Sequence, residues 1–316
     1  MDEFELIERF FTKESGSRSD IRLGIGDDAA VTAIDAGFEL VIASDTIVVD
    51  THFPANTEPH AIGHRCLAVN LSDLAAMGAE PLWCTLVLSL PSADADWVAA
   101  FADGFFDLAK RFNVALIGGD TVKGPLAITV TVHGRVKPGE YIRRSGADDA
   151  QGIYVTGSPG EAAAGLYFLN NAKHAVAHER LISRFLYPQP RVSEGRSMVG
   201  LATAMIDISD GLQTDLNKLL HASRTGAEID VGKIPLSPEM LDLLAETSAL
   251  ELVLTGGDDY ELCFTVPFDR EADLQALRAE WRCPVTRIGE TRPGAEIFWS
   301  YNGQAYNLPD TSFRHF

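Results

Sequence analysis

The residues of this sequence best suited to chemistry are aspartates that stand beside glycine, serine or threonine in short runs. Any one such run fits an ordinary turn, because Asp and Gly are the default turn residues. Several of the runs, however, lie next to strongly apolar segments, which indicates carboxylates that converge on one place. Six runs occur in the 316 residues: GIGDD (24–28), SDT (44–46), NLSDL (70–74), GGDT (118–121), DISDG (207–211) and GGDDYE (256–261).

Converging carboxylates must share protons or bind hard cations, because like charges held close together are costly. Mg²⁺ prefers carboxylate oxygens and water, and it usually reaches a protein together with substrate phosphates. The runs therefore predict an oxygen-only site with several metal ions that receives a phosphorylated ligand. The sequence has neither a phosphate-binding G-x-x-x-x-G-K-[ST] loop nor a G-x-S-x-G nucleophile elbow. We expect metal bridges and the backbone amides of Gly118 and Gly119 to contact the phosphates instead.

Composition limits the partners. The 26 Lys and Arg residues against 45 Asp and Glu residues give a formal net charge of −19, which disfavours binding to nucleic acid or to an anionic membrane. The four cysteines are far apart and form no Cys-x-x-Cys pair, which suits a reducing compartment. The first residues are acidic, and no apolar run approaches ~18 residues. We therefore expect a soluble cytoplasmic protein.

The elements that must position the aspartates mix helices and strands without a strict βαβ rhythm, which predicts a mixed α/β (α+β) fold. Turn residues between 137 and 152 predict two domains, 1–148 and 149–316. Two short strands, 40–43 and 47–49, are expected to bracket the SDT run. Other segments have the periodicity of a single element. Helices are predicted over 60–77, 94–112, 193–205 and 212–222, and strands over 83–90, 114–117, 126–136 and 252–255.

In this order and over almost the whole chain, the runs resemble the thiamine-monophosphate kinase family. That family belongs to the ATP-binding superfamily of aminoimidazole-ribonucleotide synthetase and selenophosphate synthetase. The run over 68–81 is highly specific on its own. The matching runs are GIGDDAAV (24–31), SDT (44–46) with His52-Phe53, AVNLSDLAAMGAEP (68–81), IGGDT (117–121), RRSGA (143–147), IDISDGL (206–212), GGDDYELCFT (256–265) and the final FRHF (313–316).

The resemblance implies a two-domain subunit in a homodimer whose N-terminal domains pair through their sheets. It implies transfer of a phosphoryl group from ATP to thiamine monophosphate, giving thiamine diphosphate. It also implies roles for individual residues. The expected Mg²⁺ ligands are Asp28, Ser44, Asp45, Asp73, Asp120, Asp207 and Asp210. The expected ATP contacts are Gly119, Asp120, Arg144 and Ser209, and the expected substrate contacts are His52, Asp258 and Phe313.

The residue types agree with this chemistry. The attacking group is a phosphate oxygen that is already ionised near pH 7, since its second pKa is about 6. No catalytic base or covalent nucleophile is therefore expected, and we predict direct in-line transfer without a phosphoenzyme. Phosphoryl transfer is catalysed mainly by positioning and by electrostatic stabilisation, here by Mg²⁺ ions and the Arg144 guanidinium.

Other interpretations remain open for the function and for single residues. A metallophosphatase would use a metal-bound hydroxide, but only His52 lies near the aspartate runs. A nucleotide- or cation-binding protein without turnover is the non-enzymatic alternative. Selenophosphate synthetase needs an early reactive Cys, whereas the first here is Cys66, and the GGDDYELCFT run disfavours aminoimidazole-ribonucleotide synthetase. His52 is also consistent with capping or packing a loop, and Ser209 with capping a helix.

Three positions depart from the family pattern on the expected substrate side. Asp258 stands where the family usually has Glu, and residues 49–51 read Val-Asp-Thr instead of a Glu-Gly pattern. Pro309-Asp310 stand where a Trp is common. The expected metal ligands are unaffected by these changes.

Overall fold

The chain folds as two compact units, of which the first comprises residues 1–74 and 79–139 and the second comprises 75–78 and 140–316. The structure is a computed structural model that describes residues 3–12, 18–171 and 176–309. Both units combine helices with a β-sheet, which confirms the predicted mixed α/β class. Residues 140–148 group with the second unit, where the Ile142 N–H donates to Met77 O at 3.1 Å. The predicted division after residue 148 stays a prediction.

The first unit is built on a four-stranded sheet in the order β3-β6-β4-β5, in which only the β4–β5 pair is parallel. A small β1–β2 hairpin precedes it. The strands are β1 (Ile21–Leu23), β2 (Val31–Thr32), β3 (Glu39–Val48), β4 (Glu80–Leu90), β5 (Ala115–Lys123) and β6 (Ala127–Val136). The helices are α1 (Glu3–Ile7), which continues as a π-helical turn (Glu8–Thr12), α2 (Pro59–Ala76) and α3 (Ala95–Phe112).

One face of this sheet is buried because its strands alternate apolar and polar residues. The β6 side chains Ile128, Val130 and Val132 are fully buried. Helix α2 packs near this core, and α3 packs against α2 at a glycine on each helix. A Cβ on Gly63 would come within 2.0 Å of Phe101 O, and one on Gly104 within 1.9 Å of His60 O. Only residues without a side chain permit this close approach.

The second unit is built on a seven-stranded sheet in the order β13-β12-β9-β11-β7-β10-β8, which is antiparallel except for the β12–β9 pair. Helices α4, α7 and α9 contribute buried residues to its main hydrophobic core. The strands are β7 (Gln151–Thr156), β8 (Ala204–Ile208), β9 (Gly226–Asp230), β10 (Glu261–Pro267), β11 (Val285–Arg292), β12 (Ile297–Tyr301) and β13 (Gln304–Ala305). The helices are α4 (Glu161–Asn170), α5 (Val176–Leu186), α6 (Val192–Ser197), α7 (Leu212–Ser223), α8 (Pro238–Leu243), α9 (Glu246–Thr255) and α10 (Glu271–Arg278), with 3₁₀ turns at Val231–Lys233 and Phe268–Arg270.

Three predicted elements differ from the structure. Residues 252–255 end helix α9 and do not form a strand, because a short apolar run fits a buried helix as well as a strand. The predicted helix over 193–205 stops at Ser197, and Gly200 follows with φ +77°, a left-handed conformation that does not continue a helix. The SDT run lies inside the continuous strand β3 instead of between two strands.

In the described part of the chain, no helix is both long and apolar enough to cross a lipid bilayer.

Candidate active site

In the first unit, the SDT and GGDT runs lie on opposite edge strands of the four-stranded sheet. Strand pairing aligns Asp45 with Val130, Leu86 and Gly119 in one row across β3, β6, β4 and β5. Three strand spacings of about 4.8 Å separate the edge strands, so Asp45 and Asp120 are roughly 14 Å apart along the sheet. Within one chain these two aspartates therefore cannot bind the same cation.

Asn70, a fully buried residue of α2, links the strand that carries Asp45 to the helix that carries Asp73. The Asn70 Oδ1 accepts the backbone N–H of Asp45 at 2.9 Å, and its Nδ2 donates to Cys66 O at 2.9 Å. Residues three apart share one face of a helix, so Asp73 lies on the face that contacts β3. Ser44 precedes Asp45 on β3, and its hydroxyl pairs with that of Thr131 at 2.9 Å.

Asp28 and His52 occupy loops on either side of β3. Asp28 is exposed, and its N–H donates to Asp27 Oδ1 at 2.9 Å, so Asp27 stabilises the loop. The Nδ1 of His52 accepts the Val48 N–H at 3.1 Å, and the His52 N–H donates to Val48 O at 2.9 Å. A neutral His52 therefore carries its proton on Nε2. The contact caps the end of β3, and the substrate role expected for His52 stays a prediction.

In the second unit, the Ser209–Asp210 turn and the Gly257–Tyr260 loop run side by side beyond the ends of β8 and β10. The Asp258 N–H donates to Ser209 O at 2.9 Å, and a Cβ on Gly257 would come within 2.1 Å of the same oxygen. Gly257 is therefore required for the close approach of the two segments. The structure thus brings together the predicted residues Ser209, Asp210 and Asp258, with the buried Asp207 on β8 just before the turn.

Asp258 and Tyr260 both adopt left-handed backbone conformations, with φ of +70° and +53°. Non-glycine residues in this region carry strain and cluster at functional sites. The Tyr260 hydroxyl donates to Asp258 Oδ1 at 3.0 Å, which fixes the orientation of the carboxylate. Asp259 points elsewhere: it accepts N–H bonds from Gly160 at 2.7 Å and Ala162 at 3.2 Å, and so caps helix α4.

Asp215 and Lys218 of α7 are site residues that the sequence analysis missed. Asp215 is buried, and its Oδ2 accepts the backbone N–H groups of Ser209 at 2.9 Å and Asp210 at 2.8 Å. Lys218 donates to Asp215 Oδ1 at 2.8 Å and to Asp210 Oδ2. The i,i+3 spacing of an acidic and a basic residue on a predicted helix was an available signal.

The electrostatics of this group follow from its burial and its pairing. Desolvation raises the pKa of Asp215 above its ordinary value of 3.8, although the Lys218 ammonium opposes the shift. Burial lowers the pKa of Lys218, but its hydrogen bonds to Asp210 and Asp215 outweigh that effect and leave the pKa above 10.5. Lys218 is therefore a cation throughout the physiological pH range.

Arg144 lies at the far end of α7 from Asp210. The Ser223 hydroxyl, at the C-terminal end of the helix, donates to Arg144 O at 3.2 Å. A helix of 12 residues is roughly 18 Å long, which separates the Arg144 backbone from the Ser209–Asp210 turn. Phe313 lies outside the described residues. The role expected for each of these residues stays a prediction.

The expected metal ligands are all oxygen donors, and they lie in small separate groups of residues. Within the described residues, no three or more His, Cys, Asp or Glu side chains are arranged to hold a metal ion. Mg²⁺ bound with a nucleotide typically uses one or two carboxylates, and its other ligands are water and phosphate. The donor set therefore fits cations that arrive with phosphate, and it does not form a complete protein cage.

Comparison with known proteins gives matches over both halves of the chain. The N-terminal domain of AIR synthase related protein matches residues 26–136, and the C-terminal domain of that family matches residues 151–300. The thiamine-monophosphate kinase of Escherichia coli (strain K12) is 42% identical over 318 aligned residues, covering 99% of this chain and 98% of its own. The chain belongs to the thiamine-monophosphate kinase family. It is accordingly an enzyme, a kinase that phosphorylates thiamine monophosphate.

Solved structures of this family share the fold. The crystal structure of thiamine-monophosphate kinase from Stenotrophomonas maltophilia K279a is 43% identical, with a TM-score of 0.89 over 97% of this chain and 98% of its own. The structure of AaThiL complexed with AMPPCP and TMP is 29% identical, with a TM-score of 0.78 over 99% of this chain and 97% of its own. That relative therefore holds AMPPCP and TMP in one complex.

Proposed function

We propose that this enzyme transfers the γ-phosphoryl group of ATP directly to the phosphate of thiamine monophosphate, producing ADP and thiamine diphosphate. The observation that carries the proposal is the complex of a relative of the same fold with AMPPCP and TMP. The aspartate groups of both units support it, because they supply the oxygen donors that phosphate-bound cations require. No phosphoenzyme forms, since the acceptor phosphate is itself the nucleophile.

The residues that would hold Mg²⁺ fall into a first-unit set and a second-unit set. The first-unit set is Asp28, Ser44, Asp45, Asp73 and Asp120, and the second-unit set is Asp207 and Asp210. When bound, the ions neutralise the two polyanions and align them for in-line transfer. Asn70 accepts the backbone N–H of Asp45, and Asp215 accepts the backbone N–H of Asp210. These bonds fix the backbone at both carboxylates before the ions bind.

We propose that Gly119, Asp120, Arg144 and Ser209 contact ATP. Gly119 has φ +151°, and a Cβ there would come within 1.8 Å of Leu86 O, so this segment of β5 requires glycine. His52, Asp258 and Phe313 are proposed to contact thiamine monophosphate. The hydrogen bond from Tyr260 to Asp258 supports this role, because it holds the carboxylate in one direction beside the Ser209 turn.

We also propose a homodimer that forms through the outer face of the four-stranded sheet. Four large apolar side chains of that face are exposed, namely Leu40 (45%), Ile42 (58%), Val87 (39%) and Val122 (44%). They share one face because strand pairing places them on rows of the same parity. An apolar sheet face of this kind is typical of a protein interface.

The dimer also supplies a reason for the position of Asp120. One chain holds Ser44 and Asp45 on one edge strand and Asp120 on the other. A second sheet packed on the outer face can therefore bring Asp120 of the partner subunit towards the SDT run. The site would then be complete only in the assembled enzyme.

The proposed reaction is tested by coupled ADP release with ATP, Mg²⁺ and thiamine monophosphate, together with direct measurement of thiamine diphosphate. Controls contain free thiamine or no acceptor. ADP release that requires the monophosphate and equals the thiamine diphosphate formed supports the proposal. Equal ADP release without acceptor would instead indicate a hydrolase. Transfer of label from ADP into ATP without acceptor would contradict direct transfer, because this exchange requires a phosphoenzyme.

A further inference from the structure

The Lys218 side chain lies between a buried carboxylate and a partly exposed one. Its Nζ contacts Asp215, whose side chain is 1% exposed, and Asp210, whose side chain is 34% exposed. Both carboxylate oxygens of Asp215 already have partners: Oδ1 accepts from Lys218, and Oδ2 accepts the Ser209 and Asp210 N–H groups. Asp215 is therefore a fixed support, and Asp210 is the carboxylate of the pair that faces a ligand.

Lys218 engages only one oxygen of Asp210. The bond is to Oδ2, and Oδ1 has no hydrogen-bond partner in the described part of the chain. A divalent cation on Oδ1 would lie within a few ångströms of the Lys218 ammonium, at a range where like charges disfavour one another. Binding of a cation alone at Asp210 is therefore weakened by Lys218.

A polyphosphate reverses the sign of this interaction. Its negative charge attracts both the divalent cation and the ammonium group, so Lys218 favours the cation–polyphosphate complex over the bare cation. The side chain of Lys218 is 39% exposed, and its third N–H has no partner among the described residues. It can thus donate to a phosphate oxygen without leaving Asp210 or Asp215.

We propose that Lys218 is a positioning residue that makes cation binding at Asp210 depend on bound polyphosphate. The proposal rests on the proposed function, in which Asp210 is a metal ligand. The cation then binds weakly in the absence of the nucleotide and tightly in its presence. By the same coupling free energy, the bound cation tightens the binding of the nucleotide. Removing the ammonium group should remove most of this coupling.

The test titrates the full-length protein with Mn²⁺ and follows the electron paramagnetic resonance signal of free Mn²⁺. In the absence of nucleotide, Lys218→Met should bind Mn²⁺ about five- to tenfold more tightly than the parent, because a neighbouring cation has been removed from a partly exposed site. With saturating AMPPCP the difference should disappear or reverse. Unchanged or weaker Mn²⁺ binding by nucleotide-free Lys218→Met would overturn the proposal.

Three further variants separate this effect from damage to the turn. Lys218→Arg keeps the charge and should bind Mn²⁺ like the parent. Asp210→Asn should weaken Mn²⁺ binding, and adding Lys218→Met to it should then change nothing, because the affected ligand is already lost. If Asp210→Asn binds Mn²⁺ like the parent, both the metal role of Asp210 and the Lys218 proposal are wrong. If Asp210→Asn weakens binding but Lys218→Met does not tighten it, only the Lys218 proposal is wrong.

Discussion

The side-chain oxygen of Asn70 accepts the backbone N–H of Asp45 at 2.9 Å and so joins the middle of helix α2 to an edge strand of the four-stranded sheet. The N–H groups of an edge strand have no strand partner on their outer side, and water usually satisfies them. Here a buried amide takes that position. One side chain thereby holds β3 next to the helix turn that carries Asp73.

Replacing Asn70 should therefore weaken both the fold and the catalysis. Asn70→Ala removes two hydrogen bonds from a fully buried position, and we expect the free energy of unfolding to fall by about 1–3 kcal/mol. We also expect kcat to fall by about tenfold, because Asp45 and Asp73 lose their common support. Urea unfolding and the ADP-release assay measure the two effects.

The matched control for this variant is Asn171→Ala. Asn171 is exposed and donates one bond to Tyr167 O at 2.6 Å, so its loss should cost no more than about 0.5 kcal/mol. Equal destabilisation by the two variants would contradict the special role of Asn70.

The two glycines of the GGDT run should differ sharply in their tolerance of alanine. At Gly119 a Cβ would come within 1.8 Å of Leu86 O and the residue has φ +151°, whereas at Gly118 nothing lies within 4 Å of an added Cβ. We expect Gly119→Ala to lower the free energy of unfolding by more than about 2 kcal/mol and Gly118→Ala to change it by less than about 1 kcal/mol. Urea unfolding of the two variants in parallel measures this difference. Similar losses of unfolding free energy in both variants would contradict the geometry of β5.

His133 should make the folded protein less stable in mild acid. Burial lowers the pKa of this imidazole below its ordinary value of 6.5, so the unfolded chain binds more protons between the two pKa values. The free energy of unfolding therefore rises with pH up to about 6.5 and falls on acidification through that window. His133→Gln should flatten this part of the profile, measured by urea unfolding between about pH 5 and 7.5. A profile with the same slope in both proteins would show that another group is responsible.

A charge on the outer face of the four-stranded sheet should prevent dimer formation. Ile42 is 58% exposed on that face, and Ile42→Asp would place a carboxylate in the proposed interface. Light scattering after size-exclusion chromatography should then report a monomer, and the ADP-release assay should report little kinase activity. Leu241→Asp is the matched control, because Leu241 is 48% exposed in the other unit and its substitution should leave the mass unchanged. A parent protein that is already monomeric would refute the dimer proposal.

The local elements could be read from the sequence where the pattern was long. Helix α3 agrees with the predicted 94–112 because Asp94 caps it and Asn113 ends it in a left-handed conformation. The strand predicted over 252–255 was wrong because three consecutive apolar residues followed by Thr have no distinctive period, and the packing of α9 in the second-unit core decides their state. The SDT run resembled a turn by composition, but β6 pairs with every residue of β3 and keeps the strand continuous.

The sequence alone determined the family, the mixed α/β class and the residue types of the site, since the aspartate runs carry this information within a few neighbouring positions. Tertiary structure decided which of those residues meet. Strand order put Asp45 and Asp120 on opposite edges of one sheet, and the close approach at Gly257 put Asp258 beside the Ser209 turn. The roles of Asn70 and Lys218 likewise arise from contacts between separate elements or helix turns. Such contacts depend on the packing of the whole unit, which no local run of residues specifies.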